Sequence, residues 1–385
     1  MSATSALGRG RAEVARKLGQ TRALRALAVG CGYAALDRAL LLMVTVASLP
    51  LPAAGHLRRG VFSLWAEWGN WDGRWYSAIA TSGYRPDLRR FAFFPLLPML
   101  EAWLRGFVGG NADAAGVLVS LVGSCAAFAL LYERVSAWSD EATAERTVRY
   151  LALFPTGFFL AAAYTESLFL ALVLGCMWAI DRRRWLAAGV VGALAALARN
   201  AGVLLALPAG WALLQARPPL RRWWPLALIP AALLGFMGYQ LAVAHDPLAF
   251  VHVEAAWSRH VSWPWVTVGM LWWALLHAPD PAGNVANLAA AALSAGTLIL
   301  GRRWIPAADQ IIAWAIWALS VAAPAKPPAL VLLSMDRFVI VMYPLYVVLA
   351  HLGGRMPRLD RALMLVMPVA QGALFTLFLH HYFVG

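Results

Sequence analysis

The chain has 385 residues, of which 61% are hydrophobic and 13% are charged, and ordinary soluble domains carry roughly 25% charged residues. Its formal net charge of +13 comes almost entirely from arginine, because Lys17 and Lys326 are the two lysines. These proportions exclude a simple soluble enzyme. In a lipid-embedded chain a basic excess marks cytoplasmic loops rather than nucleic-acid binding. A composition rich in alanine and arginine but poor in lysine indicates a GC-rich bacterial source.

The first predicted elements are a basic tail, residues 1–27, and an apolar window at 28–51. Cations ahead of a first span favour a cytoplasmic amino terminus. The window is too long for the core of a signal peptide, so we expect a retained transmembrane helix. It contains Asp37 and Arg38, which are costly in lipid, and we expect them to pair or to face the protein interior.

Ten further apolar windows predict an all-α polytopic membrane protein with about eleven transmembrane helices in a single domain, residues 28–385. The windows are 114–132, 150–163, 167–180, 185–198, 203–214, 223–243, 285–300, 305–323, 338–352 and 362–382. Arginine clusters between them are assigned to the cytoplasm. Two other apolar pieces, 91–108 and 263–277, carry prolines and charges or four tryptophans, and we expect external juxtamembrane helices there.

This topology leaves two large outer loops, 52–112 and 244–283, and it places eleven cations on the outer side. The planar guanidinium group of arginine binds phosphate oxygens bidentately, so an outer arginine cluster suits a phosphate carried on a lipid. Contact with lipid headgroups is the alternative, and it is favoured for Arg58, Arg59, Arg89 and Arg90.

The first outer loop contains the run Trp68-Gly69-Asn70-Trp71-Asp72-Gly73-Arg74-Trp75-Tyr76. It places one carboxylate, Asp72, among three tryptophans and a tyrosine. Desolvation raises the pKa of such a carboxyl and the neighbouring Arg74 lowers it, so Asp72 is a candidate to accept a proton. The alternative is that Asp72 caps the helix that follows.

The same run begins the pattern W-D-G-x-x-Y-x-x-I-A-x-x-G-Y, and F-A-F-F-P-L-x-P follows at 91–98. Together they resemble the PIG-V family of integral-membrane mannosyltransferases, which belongs to the GT-C group. Downstream pieces are similar to further segments of that family in the expected order: Phe154-Pro155, A-Y-T-E-S-L-F at 163–169, A-R-N-A-G at 198–202, S-M-D-R-F at 334–338 and Tyr343-Pro344. The last piece has Tyr where the family has Phe.

The resemblance implies a GT-C-like enzyme that transfers mannose from polyprenyl-phosphate-mannose to a glycolipid or lipid-linked glycan at the outer face of the plasma membrane, with inversion. Asp72 would act as the base, and Arg337 and Arg199 would bind the donor phosphate. The remaining residues expected in the substrate pocket are Trp71, Arg74, Tyr76, Tyr84, Tyr164, Glu166, Asn200, His245, His252 and Trp257.

Several of these residues have an equally simple structural interpretation. Glu166 and Arg199 can form an ion pair between two spans, and Arg337 can pair with Asp336 or a headgroup. Asn200 can form a hydrogen bond between helices.

No metal-ligating residues and no cofactor besides the lipid-linked donor are expected, and the metal requirement of the reaction stays open. The histidines lack metal-site spacing, and no glycine-rich phosphate loop or nucleophile elbow is present. The cysteines Cys31, Cys125 and Cys176 lie in apolar windows as small buried side chains. The acceptor stays open between a phosphatidylinositol mannoside, a lipoglycan and another envelope glycan. A lipid or sugar transporter and a noncatalytic partner subunit are the alternative functions, although no second copy of the W-D-G-x-x-Y segment indicates a repeat.

Overall fold

The computed structural model describes residues 3–49, 63–85, 87–278 and 281–384, and it leaves aside the side chains of 3–19, 220 and 281. The predicted outer cations Arg58 and Arg59 lie outside the described residues. The α-helices are α1 (Ala3–Ser48), α2 (Leu64–Trp68), α3 (Asp72–Ser82), α4 (Leu96–Leu104), α5 (Ala112–Trp138), α6 (Glu141–Ala152), α7 (Glu166–Asp181), α8 (Trp185–Ala198), α9 (Ala206–Ala216), α10 (Leu228–Ala244), α11 (Ala249–His252), α12 (Pro264–His277), α13 (Pro281–Gly301), α14 (Ala307–Val321), α15 (Met335–Phe338), α16 (Pro344–Arg355) and α17 (Pro357–Leu379).

Short 3₁₀ turns connect several of these helices. They are Leu88–Ala92, Arg105–Phe107, Gly157–Leu160, Asn200–Leu205, Leu220–Arg222, Trp224–Ala227, Val253–Trp257 and Val339–Val341. Within the described ranges there is no β-strand, and Arg259 and Ala325 form an isolated antiparallel bridge. The prediction of an all-helical protein is confirmed.

Five helices of the described chain are long and apolar enough to cross a membrane. They are Gln20–Ser48 within α1, α5, Trp224–Ala244 including α10, Ala282–Gly301 within α13, and α17. A sixth span is formed if Met335–Val341 and α16 are counted together, although a 79° bend separates them. The chain is therefore a membrane protein, and the count of eleven spans stays a prediction.

The prediction of a transmembrane helix at 150–163 is wrong. Helix α6 ends at Ala152, and Pro155 and Gly157 are followed by turns rather than by a continuing helix. The segment is nevertheless buried, because its carbonyl groups find partners inside the protein. Ser120 and Ser124 of α5 donate to the carbonyls of Ala162 (2.6 Å) and Leu160 (2.8 Å). Polar partners of this kind are what non-helical backbone needs at membrane depth.

The charged pair in the first helix lies inside the protein, as expected. Arg38 Nη1 is 3.2 Å from Asp37 Oδ2, and both side chains are buried. The Arg38 guanidinium also donates to the carbonyls of Ser120 and Leu160, and Asp37 accepts from Gln371 of α17. This network joins α1, α5, α17 and the turns after α6, which together position the loop before α3.

Candidate active site

A strained turn presents Asp72 at the start of α3. The Gly73 N–H donates to the carbonyl of Asn70 (3.3 Å), which closes a turn over 70–73. Trp71, the second residue of that turn, has φ 58° and ψ −113°. This is the conformation of the first central residue of a type II′ turn, where glycine is the usual residue.

Tyr164 forms two hydrogen bonds with the backbone of this turn. Its hydroxyl donates to the carbonyl of Asn70 (2.8 Å) and accepts from the Asp72 N–H (3.2 Å). Gly73 permits the close approach, because a Cβ there would lie 3.2 Å from the carbonyl oxygen of Ala163. The Asp72 carboxylate is therefore free to face away from its own helix.

The Asp72 carboxylate contacts Arg337 rather than capping α3. Arg337 Nη1 is 2.5 Å from Asp72 Oδ2, and the residue before α3 makes no side-chain cap. Arg337 comes from α15, whose first N–H groups donate to the side chain of Asn287 of α13 (2.9 Å for Met335). Its guanidinium also lies over the ring of Tyr164, 4.6 Å from the centroid.

Glu166 connects Arg337 to Arg199. A single oxygen, Glu166 Oε1, accepts from Arg337 Nε and from Arg199 Nη1, each at 2.5 Å. Glu166 is the first residue of α7 and its side chain is 1% exposed, so neither contact is shared with bulk water. Arg199 stands where α8 ends, in extended backbone before the 3₁₀ turn Asn200–Leu205. The structure thus places two arginines and two carboxylates in one chain of ion pairs.

A cavity of about 940 Å³ opens beside this chain of ion pairs. Four arginines and two carboxylates line it, namely Arg74, Arg199, Arg259, Arg337, Asp72 and Glu254. Apolar side chains of α7, α10, α14 and the turn after Arg199 form another part of the wall, among them Phe169, Leu204, Leu233, Ile316 and Leu319. A cavity with excess positive charge and an apolar wall suits an amphiphile that carries a phosphate.

The loop predicted at 244–283 supplies residues that the motif pattern alone does not select. Glu254 and Arg259 face the cavity, with Arg259 Nη1 3.7 Å from Glu254 Oε2. Burial raises the pKa of the Glu254 carboxyl above its usual range, and the Arg259 guanidinium opposes that shift. Phe338 lies between two cations, with the guanidinium carbons of Arg199 and Arg259 at 5.3 and 5.5 Å from its centroid. Phe93, Trp75, His260, His381 and Phe383 also line the cavity. Glu254 lies two residues after His252 in a segment without a recognisable local pattern, so the sequence did not select it.

Eight of the residues expected in the site line this cavity: Asp72, Arg337, Arg199, Trp71, Arg74, Tyr76, Asn200 and Trp257. Tyr164 and Glu166 lie directly behind it, where they hold the turn and the two arginines. The ion pair between Glu166 and Arg199 is present, so the structural interpretation of Glu166 applies. Arg337 pairs with Asp72 and Glu166, and Asp336 Oδ1 is buried without a partner in the described part of the chain.

Besides Tyr164 and Glu166, three further expected pocket residues do not line the cavity. Tyr84 is buried in an aromatic cluster with Phe91 and Phe236, and its hydroxyl donates to the carbonyl of Phe93. His245 ends α10 in the left-handed region. His252 forms an exposed pair with Asp246, with Nδ1 and Oδ2 2.7 Å apart. Tyr84 therefore contributes packing, and the two histidines stand outside the site.

In the described part of the chain, no group of three or more His, Cys, Asp or Glu side chains converges in a way that could hold a metal ion. The expectation of no metal-ligating residues stays a prediction.

No family model and no curated protein matches the chain. Among solved structures it is similar to an oligosaccharyltransferase of Archaeoglobus fulgidus, crystallised with Zn and sulfate. The sequences are 14% identical, and the TM-score is 0.40 over 90% of this chain and 53% of the other. The chain thus spans about half the length of that structure. This similarity is too low to indicate an activity, so the function is inferred from the geometry of the site.

Proposed function

We propose that this protein is a membrane glycosyltransferase that moves mannose from polyprenyl-phosphate-mannose to a lipid-linked acceptor on the outer face of the membrane. The observation that carries the proposal is the cavity itself. It brings Asp72, Arg199 and Arg337 together at a wall that continues into apolar side chains. A lipid phosphate needs both parts, one for its charge and one for its chain.

Arg337 and Arg199 are suited to the donor phosphate. Glu166 holds both guanidinium groups from the buried side, and both arginines line the cavity. Arg337 also donates to Asp72, and Arg199 also donates to Thr165. Planar guanidinium forks bind phosphate oxygens bidentately and keep their charge at every physiological pH. The leaving polyprenyl phosphate gains stabilisation as its negative charge develops, so it needs no proton.

Asp72 is the candidate base. The acceptor hydroxyl gives its proton to the Asp72 carboxylate while its oxygen forms a bond to the anomeric carbon of mannose. The bond between that carbon and the phosphate oxygen breaks, and its electron pair leaves with the polyprenyl phosphate. One carboxylate is enough for this reaction, whereas a glycosidase needs a pair.

The test uses the purified protein in lipid vesicles with radiolabelled polyprenyl-phosphate-mannose and a set of envelope glycolipids. We expect transfer by the wild type, and a loss of about two to four orders of magnitude in Asp72→Asn because a general base is removed. Asp246→Asn is the matched control, since Asp246 lies outside the cavity in the exposed pair with His252. Near-normal transfer by Asp72→Asn contradicts the assignment of Asp72 as base, and absence of transfer by the wild type with every acceptor contradicts the proposed reaction.

A further inference from the structure

Two arginines from separate parts of the chain meet at one tryptophan, away from the cavity. Arg303 and Trp304 follow the end of α13, and Arg355 is the last residue of α16. The guanidinium carbons of Arg303 and Arg355 lie 4.8 and 5.1 Å from the centroid of the Trp304 ring. Ile316 is the first residue of α14 that lines the cavity, and the helix from Ala307 to that residue spans about 14 Å. The cluster is therefore separate from the candidate active site.

Close packing of the end of α13 on α16 fixes the position of the tryptophan. A Cβ on Gly301 would lie 2.0 Å from Val348 Cγ2, so the two helices touch at the glycine. The Trp304 N–H donates to the carbonyl of Gly301 (2.8 Å). The imidazole ring of His351 packs on the indole, with 5.3 Å between ring centroids. Trp304 is thus a fixed platform for both guanidinium groups.

No carboxylate neutralises these two arginines. In the described part of the chain, neither guanidinium group forms an ion pair or a hydrogen bond, and both residues are exposed. The acids nearest to them in the sequence already have partners, since Asp309 lies 2.7 Å from Arg134 and Asp360 lies 2.9 Å from Arg149. Two cations on one ring repel each other unless solvent or an anion screens them. The arrangement therefore favours an anion.

Exposed apolar side chains continue from the arginines along two helices. Ile299 and Leu300 lie at the end of α13, and Leu365 and Val366 lie on α17, which begins two residues after Arg355. Both helices are long and apolar enough to cross a membrane, so their exposed apolar residues suit acyl chains. A cation pair at the end of such a surface suits a molecule with an anionic head and a hydrocarbon tail.

We propose that Arg303, Trp304 and Arg355 form a binding site for the phosphate headgroup of an anionic phospholipid from the surrounding membrane. Each guanidinium group donates N–H groups to the phosphate oxygens, and the indole ring holds the two groups side by side. Both arginines belong to clusters assigned to the cytoplasm, so the lipid belongs to the cytoplasmic leaflet. The site carries out no reaction, and it is independent of the proposed function of the cavity.

The experiment measures lipid binding by native mass spectrometry of the full chain released from detergent micelles. The probes are phosphatidylglycerol, phosphatidylcholine with the same acyl chains, and sn-glycerol 3-phosphate as a free headgroup phosphate. The variants are the double substitution Arg303→Ala/Arg355→Ala and the single substitutions Trp304→Leu and Trp304→Phe. The charge-matched control is Arg221→Ala/Arg222→Ala, which removes two exposed arginines from another segment assigned to the cytoplasm. Thermal unfolding reports whether each variant is folded.

We expect the wild type to bind phosphatidylglycerol more tightly than phosphatidylcholine. Arg303→Ala/Arg355→Ala lowers the affinity for the first phosphatidylglycerol about thirtyfold, the size of two lost arginine contacts at a membrane surface. Trp304→Leu lowers it about threefold without a change in net charge, because both guanidinium groups lose their platform. Trp304→Phe keeps most of the affinity, and Arg221→Ala/Arg222→Ala binds like the wild type.

Three results overturn the site. An equal loss of affinity in the two double variants marks general attraction of the lipid to a basic surface. Unchanged binding by a folded Trp304→Leu variant shows that the stacked arrangement plays no part, and the double variants decide the question if that variant does not fold. Binding of sn-glycerol 3-phosphate as tight as that of phosphatidylglycerol identifies the ligand as a free phosphate and contradicts the lipid.

Discussion

Glu166 lies behind the cavity, but it holds the two arginines of the site. Its Oε1 is shared by Arg337 and Arg199, while Oε2 is buried with no hydrogen-bond partner among the described residues. A buried charge is tolerated only when it is paired, and removal of one partner leaves the others uncompensated. Glu166 thus keeps the two arginines in place, where the proposed function needs them for the donor phosphate.

We expect Glu166→Gln to destabilise the protein by about 3 kcal/mol, because two nearly buried arginines lose their shared anion. We expect the transfer activity of this variant to fall as well, because its KM for the donor rises. The control is Glu133→Gln, which breaks a more exposed pair with Arg182 and costs at most about 1 kcal/mol. Thermal unfolding in detergent and donor titration measure both effects, and a Glu166→Gln variant as stable and as active as the wild type would show that the arginines are held by other contacts.

A second buried acid, Glu101 of α4, predicts a dependence of stability on pH. Its side chain is fully buried, both carboxylate oxygens lack partners in the described structure, and a Cβ on Gly116 would lie 2.5 Å from Oε1. Burial, and then the neighbouring charge of Asp113, raises the pKa of Glu101 well above its usual range. The protonated form is therefore the one that the fold favours.

Because the folded-state pKa is raised, the contribution of Glu101 to stability is complete below the ordinary carboxyl range and is lost as the pH rises through the folded-state pKa. We expect the unfolding temperature of the wild type to decline over that interval and the decline to be smaller in Glu101→Gln. Unfolding scans across a pH series measure the slopes. Equal slopes in both proteins would mean that Glu101 is ionised with an unrecognised partner.

At the scale of elements, the break between α8 and α9 sets the position of Arg199. Helix α8 ends at Ala198, Arg199 is extended, and the chain turns back in the 3₁₀ segment Asn200–Leu205. Gly202 makes this reversal possible, because a Cβ there would lie 2.2 Å from the carbonyl carbon and oxygen of Ala195. The glycine is needed for close approach of two backbone segments.

We expect Gly202→Ala to destabilise the protein by about 3 kcal/mol and to impair transfer, since the backbone around Arg199 must move. Gly210→Ala in α9 is the matched control, because its Cβ meets nothing within 4 Å. That substitution should be neutral or stabilising by up to about 1 kcal/mol, as alanine is the better helix former. Unfolding midpoints and donor-dependent rates separate the two, and similar behaviour of both variants would contradict the packing argument.

Hydropathy predicted the long apolar helices and failed where an apolar segment turns inside the protein instead of continuing as a helix. The window at 114–132 corresponds to α5 and the window at 362–382 to α17, because long apolar helices have a strong signal. The window at 150–163 has the same composition, but it turns inside the protein on hydroxyl groups of α5. Composition alone cannot distinguish these two environments, since both are apolar.

The motif residues were predictable as a set, but their partners were not. Asp72, Glu166, Arg199 and Arg337 stand in recognisable segments, and the structure brings them together. Phe383 and Glu254 occur in segments without a local pattern, and only tertiary packing places them at the cavity. Local sequence also gave no indication that Tyr84 packs in an aromatic cluster, because a tyrosine has the same local signal in a core and in a pocket.

At the scale of the whole molecule, the proposal requires one orientation in the membrane. In a background with Cys31, Cys125 and Cys176 replaced by serine, we expect Thr81→Cys near the end of α3 to react with a membrane-impermeant maleimide in intact cells. Gln215→Cys at the end of α9 should react only after lysis, because the adjacent arginine-rich loop is assigned to the cytoplasm. Both residues are exposed in the structure. The reverse labelling pattern would place the site in the cytosol and contradict the outer-face reaction.

Two stretches that lie far apart in the chain meet at the cavity. Asn70 donates to the carbonyl of Phe378, Trp71 contacts Phe383, and Arg74 meets His381, 307 residues later. After α3 has been synthesised, most of the remaining helices must therefore be synthesised before α17 can pack beside α3. Until then the cavity is incomplete, and contacts of such long sequence separation form late in folding. The site is therefore assembled only after α17 has been synthesised and packed.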